Sequence, residues 1–222
     1  IDYLSRQFRV TRINFPGFGS SLGPIGQTIE SYADLTAATM KALLLPADTY
    51  LIGNGFGGFV ASTLAIRHGA IFNKLVLVDT GPGFSEPAKE ALRLLAKKAI
   101  DEGMSSVLDA AIKRMFPEDF IVEKPFVIER RRRYLAEADP CLFANAALAL
   151  TFLDNRPKLN QIHNPTLIVV GLADETTPPA LSYALKAGIS GSSLKELPRI
   201  GHCPQLQNPT DFLNAVIPFL TS

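Results

Sequence analysis

A glycine-rich turn follows the apolar run Tyr50–Ile52 directly and leads into a helix-like stretch. Read as Gly53-x-Gly55-x-x-Gly58, it is typical of a dinucleotide-binding loop, in which small residues let a pyrophosphate approach the backbone at a helix N-terminus. Read as Gly53-x-Nuc-x-Gly57, it is the strand-to-helix turn that presents a catalytic nucleophile. In that interpretation the nucleophile is missing, because position 55 holds glycine. The rest of the chain has to decide between the two.

Strand and helix patterns alternate on both sides of this turn. The predicted strands are, in chain order, Phe8–Ile13, Tyr50–Ile52, Lys74–Asp79, Pro165–Val170 and Leu194–Leu197. The predicted helices cover about 29–45, with Thr28 as the cap, and 57–68, and two more begin near 178 and after Asn208. Alternation at this spacing predicts an α/β fold, with a mostly parallel sheet and helices on both of its faces.

A helical insert interrupts the alternation. Four helical stretches, at about 86–102, 105–116, 125–138 and 141–153, follow one another with no strand pattern between them. An insert of this kind within an α/β core is expected to form a lid over the C-terminal edge of the sheet. The predicted organisation is therefore a core made of residues 1–82 and 156–222, with a four-helix cap made of residues 83–155.

Two polar residues follow predicted strands further along the chain. The run Gly171-Leu172-Ala173-Asp174 follows the strand Pro165–Val170 directly, and Gly201-His202 follows the next strand. Because the C-terminal ends of strands in an open α/β sheet face one crevice, we expect these two side chains to lie close together. Positions 55, 174 and 202 then follow the order nucleophile, acid, histidine of one class of hydrolase.

The dinucleotide interpretation has support of its own. Asp79 closes the strand after the glycine turn and lies 21 positions beyond Gly58, near the spacing of an acidic residue that binds a ribose. A nucleotide-dependent oxidoreductase would use that residue together with the three glycines. It would leave Asp174 and His202 without a role, so the hydrolase arrangement explains more of the chain.

Charge and composition exclude several classes of partner. The chain has 22 basic and 21 acidic residues and a net charge of +1, so no overall charge favours nucleic acid or an anionic membrane. The local exception, Arg130–Arg133, is a solvated helix face or an electropositive rim that attracts a carboxylate substrate.

Cys141 and Cys203 lie far apart, which predicts no metal site and idle thiols in a reducing, cytoplasmic compartment. No apolar run approaches the length of about 18 residues that a membrane span needs.

Taken together, four stretches of this chain resemble the α/β-hydrolase superfamily. They are FPGFGSS at 15–21, LIGNGFGG at 51–58, NPTLIVVGLAD at 164–174 and LPRIGHCPQLQNP at 197–209. Within the superfamily, the four-helix cap and the run GLADETTPP at 171–179 are similar to those of 3-oxoadipate enol-lactonases and related small esterases. The resemblance implies a carboxylic ester or lactone as the small-molecule substrate.

The resemblance also implies roles for four positions. Gly55 stands at the vacant nucleophile position, His202 is the general base and acid, and Asp174 orients its ring. The Phe56 N–H, at the helix N-terminus, is the remaining oxyanion-hole donor. No metal or cofactor is expected. Three alternatives stay open: Asp174 only caps its own turn, His202 has no chemical role, or Asp79 is the acid, as in a minority of such hydrolases.

Two departures from the family pattern shape the predicted function. The nucleophile turn holds its residue at a positive φ, which is costly for serine and nearly free for glycine, so Gly55 stabilises the fold while abolishing acyl transfer. The family also places strands and a His-Gly loop ahead of the segment with which this chain begins, which indicates an N-terminally incomplete or divergent chain. We therefore expect a hydrolase homologue that is inactive or strongly impaired. A non-catalytic ligand-binding protein on the same fold is the alternative.

Overall fold

The computed structural model describes residues 3–16, 18–19, 21 and 28–222. Its centre is a four-stranded sheet with the order β1-β2-β3-β4. The strands are β1 (Tyr50–Asn54), β2 (Lys74–Val78), β3 (Thr166–Gly171) and β4 (Ser193–Leu197). Each neighbouring pair is parallel. The predicted α/β class and parallel sheet are therefore confirmed.

Helices cover both faces of this sheet, because every residue of β2 and β3 is buried. In β2, Leu75 and Leu77 point into one apolar cluster, which includes residues of the two helices that flank β1. The alternate residues Val76 and Val78 point into a second cluster, on the opposite face, with residues of the C-terminal helix. A strand with two buried faces is continuously apolar rather than alternating, which is the pattern that the sequence shows here.

The helices of the core follow the predicted pattern closely. They are α1 (Ile29–Ala42), α2 (Phe56–His68), α8 (Pro179–Gly188), α9 (Pro204–Gln207) and α10 (Pro209–Thr221). Thr28 caps α1 and forms a reciprocal pair of hydrogen bonds with Ser31, and the Asn208 side chain accepts a hydrogen bond from the backbone N–H of Asp211 at the start of α10. Helix α1 ends at Ala42, three residues before its predicted end.

Five helices lie between β2 and β3. They are α3 (Glu86–Glu102), α4 (Leu108–Met115), α5 (Glu118–Glu123), α6 (Pro125–Ala136) and α7 (Pro140–Phe152). Helix α5 was not predicted; it has only six residues and is set off from α4 by Pro117. Helices α3 and α7 pack along each other through small residues, among them Ala96, Ala144 and Ala147. No helix in the described part of the chain is long and apolar enough to cross a membrane.

The predicted strand over Phe8–Ile13 is wrong. The segment belongs to no strand or helix, and most of its residues are exposed. Strand β1 lies at the edge of the sheet and pairs only with β2 among the described residues, so the segment does not extend the sheet with ladder hydrogen bonds to β1. Its β-forming residues serve packing instead: the ring of Phe8 meets the ring of Tyr50 edge-on, with centroids 6.0 Å apart.

The glycines around position 55 give a matched test of the packing between β1 and α2. A Cβ atom on Gly53 would lie 2.3 Å from the carbonyl oxygen of Gly57, whereas a Cβ atom on Gly57 would meet nothing within 4 Å. We expect Gly53→Ala to lower the free energy of unfolding by about 3 kcal/mol, because the overlapping atom belongs to the backbone of α2, which cannot move aside as a flexible side chain can. Gly57→Ala, in the first turn of α2, is expected to raise it by about 0.5–1 kcal/mol. Urea unfolding curves measure both, and equal effects would contradict the close approach.

Candidate active site

Gly55 is the single residue between β1 and α2, where the chain reverses from strand to helix. Its φ of 53° and ψ of −120° lie in a region that L-residues with side chains rarely occupy. Two hydrogen bonds hold the turn: the Gly55 N–H donates to the carbonyl of Val78 and the Thr80 hydroxyl donates to the carbonyl of Gly55, each at 3.0 Å. The backbone of the turn is thus fixed by the neighbouring strand β2 and by the residues that follow it.

Asp174 and His202 form a buried pair, as the topology of the strands predicted. His202 Nδ1 lies 2.8 Å from Asp174 Oδ2, and the two residues are 7% and 3% exposed. Because a carboxylate can only accept, Nδ1 donates the proton in this contact, and in a neutral ring Nε2 then has a free lone pair. The hydroxyl of Thr177 donates to the same carboxylate oxygen at 2.7 Å and lies 3.2 Å from Nδ1.

The other end of the imidazole faces the glycine turn. A Cβ atom on Gly55 would lie 2.6 Å from His202 Nε2 and 3.1 Å from Cε1. The basic nitrogen is therefore aimed at the position from which a nucleophile would project. It also stands inside the space that a side chain at position 55 needs, since a non-bonded carbon this close is a steric overlap.

The loop after β3 positions the carboxylate of Asp174. Its second oxygen, Oδ1, accepts hydrogen bonds from the backbone N–H groups of Thr176 at 2.7 Å and Thr177 at 3.1 Å. Asp174 therefore caps its own turn and also holds the histidine ring. The two predicted interpretations of this residue are compatible, because each uses a different carboxylate oxygen.

Several contacts that hold His202 were not foreseen from the sequence. The side-chain amide of Asn54 donates to the carbonyl of His202 at 3.0 Å, and the N–H of His202 donates to the carbonyl of Met115, at the end of α4, at 2.8 Å. Gln205 in turn donates to the Asn54 side chain at 3.1 Å. The position of Asn54 next to Gly55 is a signal that could have identified it as a site residue. The Met115 carbonyl could not have been identified, because every residue type has a backbone acceptor.

Asp79 has neither of the roles considered for it. It is fully buried, its Oδ1 accepts a hydrogen bond from the N–H of Gly171 at 2.7 Å, and its Oδ2 has no hydrogen-bond partner among the described residues. A residue enclosed in this way cannot reach a bound ribose, and the histidine ring is held by Asp174 instead. Burial raises the pKa of Asp79 to about 8, and the negative charge of Asp174 adds to the rise against the hydrogen bond from Gly171.

The neighbouring hydroxyls and thiol do not replace the missing nucleophile. Ser62 is fully buried and donates to the carbonyl of Phe59, and Ser21 lines a separate groove beside α1. Ser20 lies outside the described residues. Cys203 follows the histidine, but it packs in an apolar cluster and burial raises the pKa of its thiol to about 12. In the described ranges, no three His, Cys, Asp or Glu side chains are placed to hold a metal ion.

Phe56, the predicted oxyanion donor, lies at a helix N-terminus. Phe56 is the first residue of α2, so its N–H is among the first four of the helix, which have no acceptor within it. The ring of Phe56 packs edge-on against the rings of Phe15 and Tyr32, with centroids 5.6 and 5.1 Å away. These contacts fix the start of the helix beside the tip of the glycine turn.

Comparisons with known proteins agree with this fold. The model of the alpha/beta hydrolase family matches residues 1–216. The 3-oxoadipate enol-lactonase 2 of Acinetobacter baylyi is 27% identical over 217 residues, which are 97% of this chain and 80% of that protein. The enol-lactonase of Burkholderia xenovorans LB400 superimposes with a TM-score of 0.94 at 30% identity, covering 100% of this chain and 84% of that one. A thermophilic esterase from Thermogutta terrifontis gives a TM-score of 0.91 at 30% identity, covering 99% and 82%. The chain belongs to the α/β hydrolase family.

Proposed function

We propose that this chain is a homologue of carboxylic ester and lactone hydrolases that keeps the acid–histidine pair but has lost the nucleophile, so that its acyl-enzyme chemistry is absent or strongly impaired. One observation carries the proposal. The free nitrogen of His202 lies 2.6 Å from where the Cβ of a residue 55 side chain would be, while its other nitrogen contacts Asp174. A base oriented by an acid and aimed at an empty turn is the arrangement that a nucleophile requires.

The residues that are present could support every role in acyl transfer except that of the nucleophile. With a hydroxyl at position 55, His202 would take its proton during attack on the substrate carbonyl and return it to the leaving group. Asp174 would hold the ring in the required tautomer, and the Phe56 N–H would stabilise the negative charge on the carbonyl oxygen. With glycine, no acyl-enzyme can form. What remains is slow attack by a water molecule that His202 activates directly.

The substrate class rests on the relatives together with the site. Two relatives are described as enol-lactonases and one as an esterase, and the esterase was solved with malate bound. For this chain we propose a small ester or lactone, bound between the core of residues 1–82 and 156–222 and a cap of residues 83–155. The contact from His202 N–H to the Met115 carbonyl supports this, because it joins the catalytic loop to the helical insert.

A non-catalytic ligand-binding protein on the same fold is the second candidate. It is favoured by the position of the His202 ring, which lies within the space that a nucleophilic side chain at position 55 would occupy. Such a protein would bind a small acid or ester without turnover, and its affinity would be unchanged by His202→Ala. Calorimetric titration of the parent protein and the His202→Ala variant separates the candidates, since a base that returns a proton to the leaving group also contacts the leaving-group oxygen of the bound ester.

The direct test is a gain of function. The Gly55→Ser variant is expected to hydrolyse p-nitrophenyl acetate, whereas the glycine protein remains near the rate without enzyme. A burst of p-nitrophenol equal to the amount of protein would indicate that an acyl-enzyme forms. A folded serine variant that shows neither a burst nor turnover with short esters or lactones would refute the hydrolase proposal.

A further inference from the structure

The loop between β4 and α9, residues 198–203, carries His202 and has two positions that only its surroundings can hold. Arg199 has a φ of 59°, in the left-handed region that residues with side chains rarely adopt. At Gly201, a Cβ atom would lie 2.5 Å from the carbonyl oxygen of Met115, so the backbone of the loop runs against the end of α4. Strain and close backbone contact persist only where neighbouring groups fix the chain, and the structure contains such a group.

The side chain of Gln207, at the end of α9, makes two hydrogen bonds to this loop. Its Oε1 accepts from the N–H of Gly201 at 2.8 Å, and its Nε2 donates to the carbonyl of Arg199 at 2.9 Å. The orientation of the amide follows from these partners, because a backbone N–H can only donate and a carbonyl can only accept. The two bonds enclose Ile200, so one side chain fixes the backbone on both sides of that residue, directly ahead of His202.

The same stretch of backbone contacts the loop that carries the acid. The N–H of Ala173, the residue before Asp174, donates to the carbonyl of Ile200 at 2.8 Å. The end of β3 is also close, since a Cβ atom on Gly171 would lie 2.4 Å from that carbonyl oxygen. The residue before the acid and the backbone before the histidine are therefore joined directly. A displacement of Ile200 would shift the His202 ring relative to the carboxylate of Asp174 that holds it.

We infer that Gln207 is a positioning residue for the proposed reaction, which fixes the backbone of residues 199–201 and so sets the histidine loop against the acid loop. The inference rests on the proposed function and deepens it, because it assigns a residue outside the acid–histidine pair. The two hydrogen bonds of Gln207 reach backbone groups and not the ring of His202, so its effect passes through the loop. Precise placement matters here, since a misplacement of about 1 Å at a reacting group can cost about 10²-fold in rate.

Kinetics in the Gly55→Ser protein test the inference. Gln207→Met keeps the length of the side chain but removes both hydrogen bonds, and is expected to lower kcat for p-nitrophenyl acetate about 10-fold or more while KM changes less than about 2-fold. Gln207→Glu keeps the acceptor for Gly201 alone and is expected to recover part of the rate. The control is Asn208→Ala, which removes the cap of α10 one residue further on. It is expected to lower the melting temperature but to leave kcat within about 2-fold.

A second measurement needs no catalysis. In the glycine protein the Nδ1–H of His202, bonded to Asp174, is followed as a proton NMR resonance that is absent from His202→Ala. Gln207→Met is expected to shift this resonance and to speed its exchange with water about 10-fold, because the loop that holds the ring opens more readily. Asn208→Ala is expected to do neither.

The outcomes distinguish this inference from the hydrolase proposal. An unchanged resonance in the methionine variant, or equal losses of kcat in the methionine variant and the Asn208→Ala control, overturns the inference even if Gly55→Ser is active. A resonance that responds only to Gln207→Met supports the inference even if Gly55→Ser is inactive, in which case the hydrolase proposal is wrong. Gln207→Glu, which loses one hydrogen bond instead of two, gives the same comparison if the methionine variant does not fold.

Discussion

The Gly55→Ser variant is expected to raise kcat for a short activated ester by about 10³-fold or more over the glycine protein. Removal of the nucleophile from a serine protease costs on the order of 10⁶ in kcat, which sets the upper limit for the gain. The parts that the new hydroxyl needs are already in place, since Nε2 of His202 faces the turn and Asp174 holds Nδ1 at 2.8 Å. Initial rates with p-nitrophenyl acetate, compared at equal protein concentration, measure the gain.

The gain is expected to stay below that limit because the histidine ring has to move. A Cβ atom at position 55 would lie 2.6 Å from Nε2, so the ring must retreat by about 1 Å before a serine hydroxyl can donate to it. The ring is tethered at Nδ1 by Asp174 and by the Thr177 hydroxyl, which limits how far it can retreat. The gain in kcat is expected to be larger for substrates whose binding brings the His202 ring and the serine hydroxyl into hydrogen-bonding distance.

Two controls isolate the hydroxyl. Gly55→Ala makes the same steric demand on His202 and the same backbone demand at φ 53° and ψ −120°, but supplies no nucleophile. Both variants are expected to unfold about 1–3 kcal/mol more easily than the glycine protein, and only the serine variant is expected to gain activity. Adding His202→Ala to Gly55→Ser is expected to return the rate to that of the glycine protein. A serine variant no faster than the alanine variant would contradict the assignment of position 55.

Much of the core could be predicted because its determinants are local. The cap at Thr28, the Asn208-Pro209 start of α10 and the apolar runs of β2 and β3 each act within a few residues. The meeting of Asp174 with His202 was predicted for a topological reason. Parallel strands end at one edge of a sheet, so residues that follow two neighbouring strands are brought together whatever lies between them.

The failures occurred where the outcome depends on partners distant in sequence. Phe8–Ile13 has the residue types of a strand, but a strand exists only where another strand pairs with it. The surroundings of the four arginines could not be told apart from the sequence, because they depend on which helices pack beside α6. The contact of Thr177 with His202 could not be predicted from the sequence, because it requires the fold of the following strand and loop.

Asp79 is expected to make the stability of this protein fall as the pH rises from about 4 to about 8. Its pKa is about 8 in the folded protein because of burial, whereas an aspartate in an unfolded chain titrates near pH 4. Between those values the folded state holds a proton that the unfolded state has released. Unfolding therefore liberates a proton, and the free energy of unfolding decreases by up to about 1.4 kcal/mol per pH unit from this group.

The Asp79→Asn variant isolates that contribution from the other acids. Its amide oxygen can still accept the hydrogen bond from Gly171, and its amide nitrogen takes the place of Oδ2, which has no partner among the described residues. Asparagine also tolerates the positive φ of 44° at this position, where alanine would add strain. The variant and the parent are thus expected to be nearly equally stable near pH 4 and to differ by several kcal/mol near pH 8, with the variant more stable. Urea unfolding at a series of pH values measures the difference between them. A difference in the free energy of unfolding that stays constant with pH would show that Asp79 is already ionised in the folded protein. In that case a charge or a hydrogen-bond donor near its Oδ2 would have to offset the effect of burial.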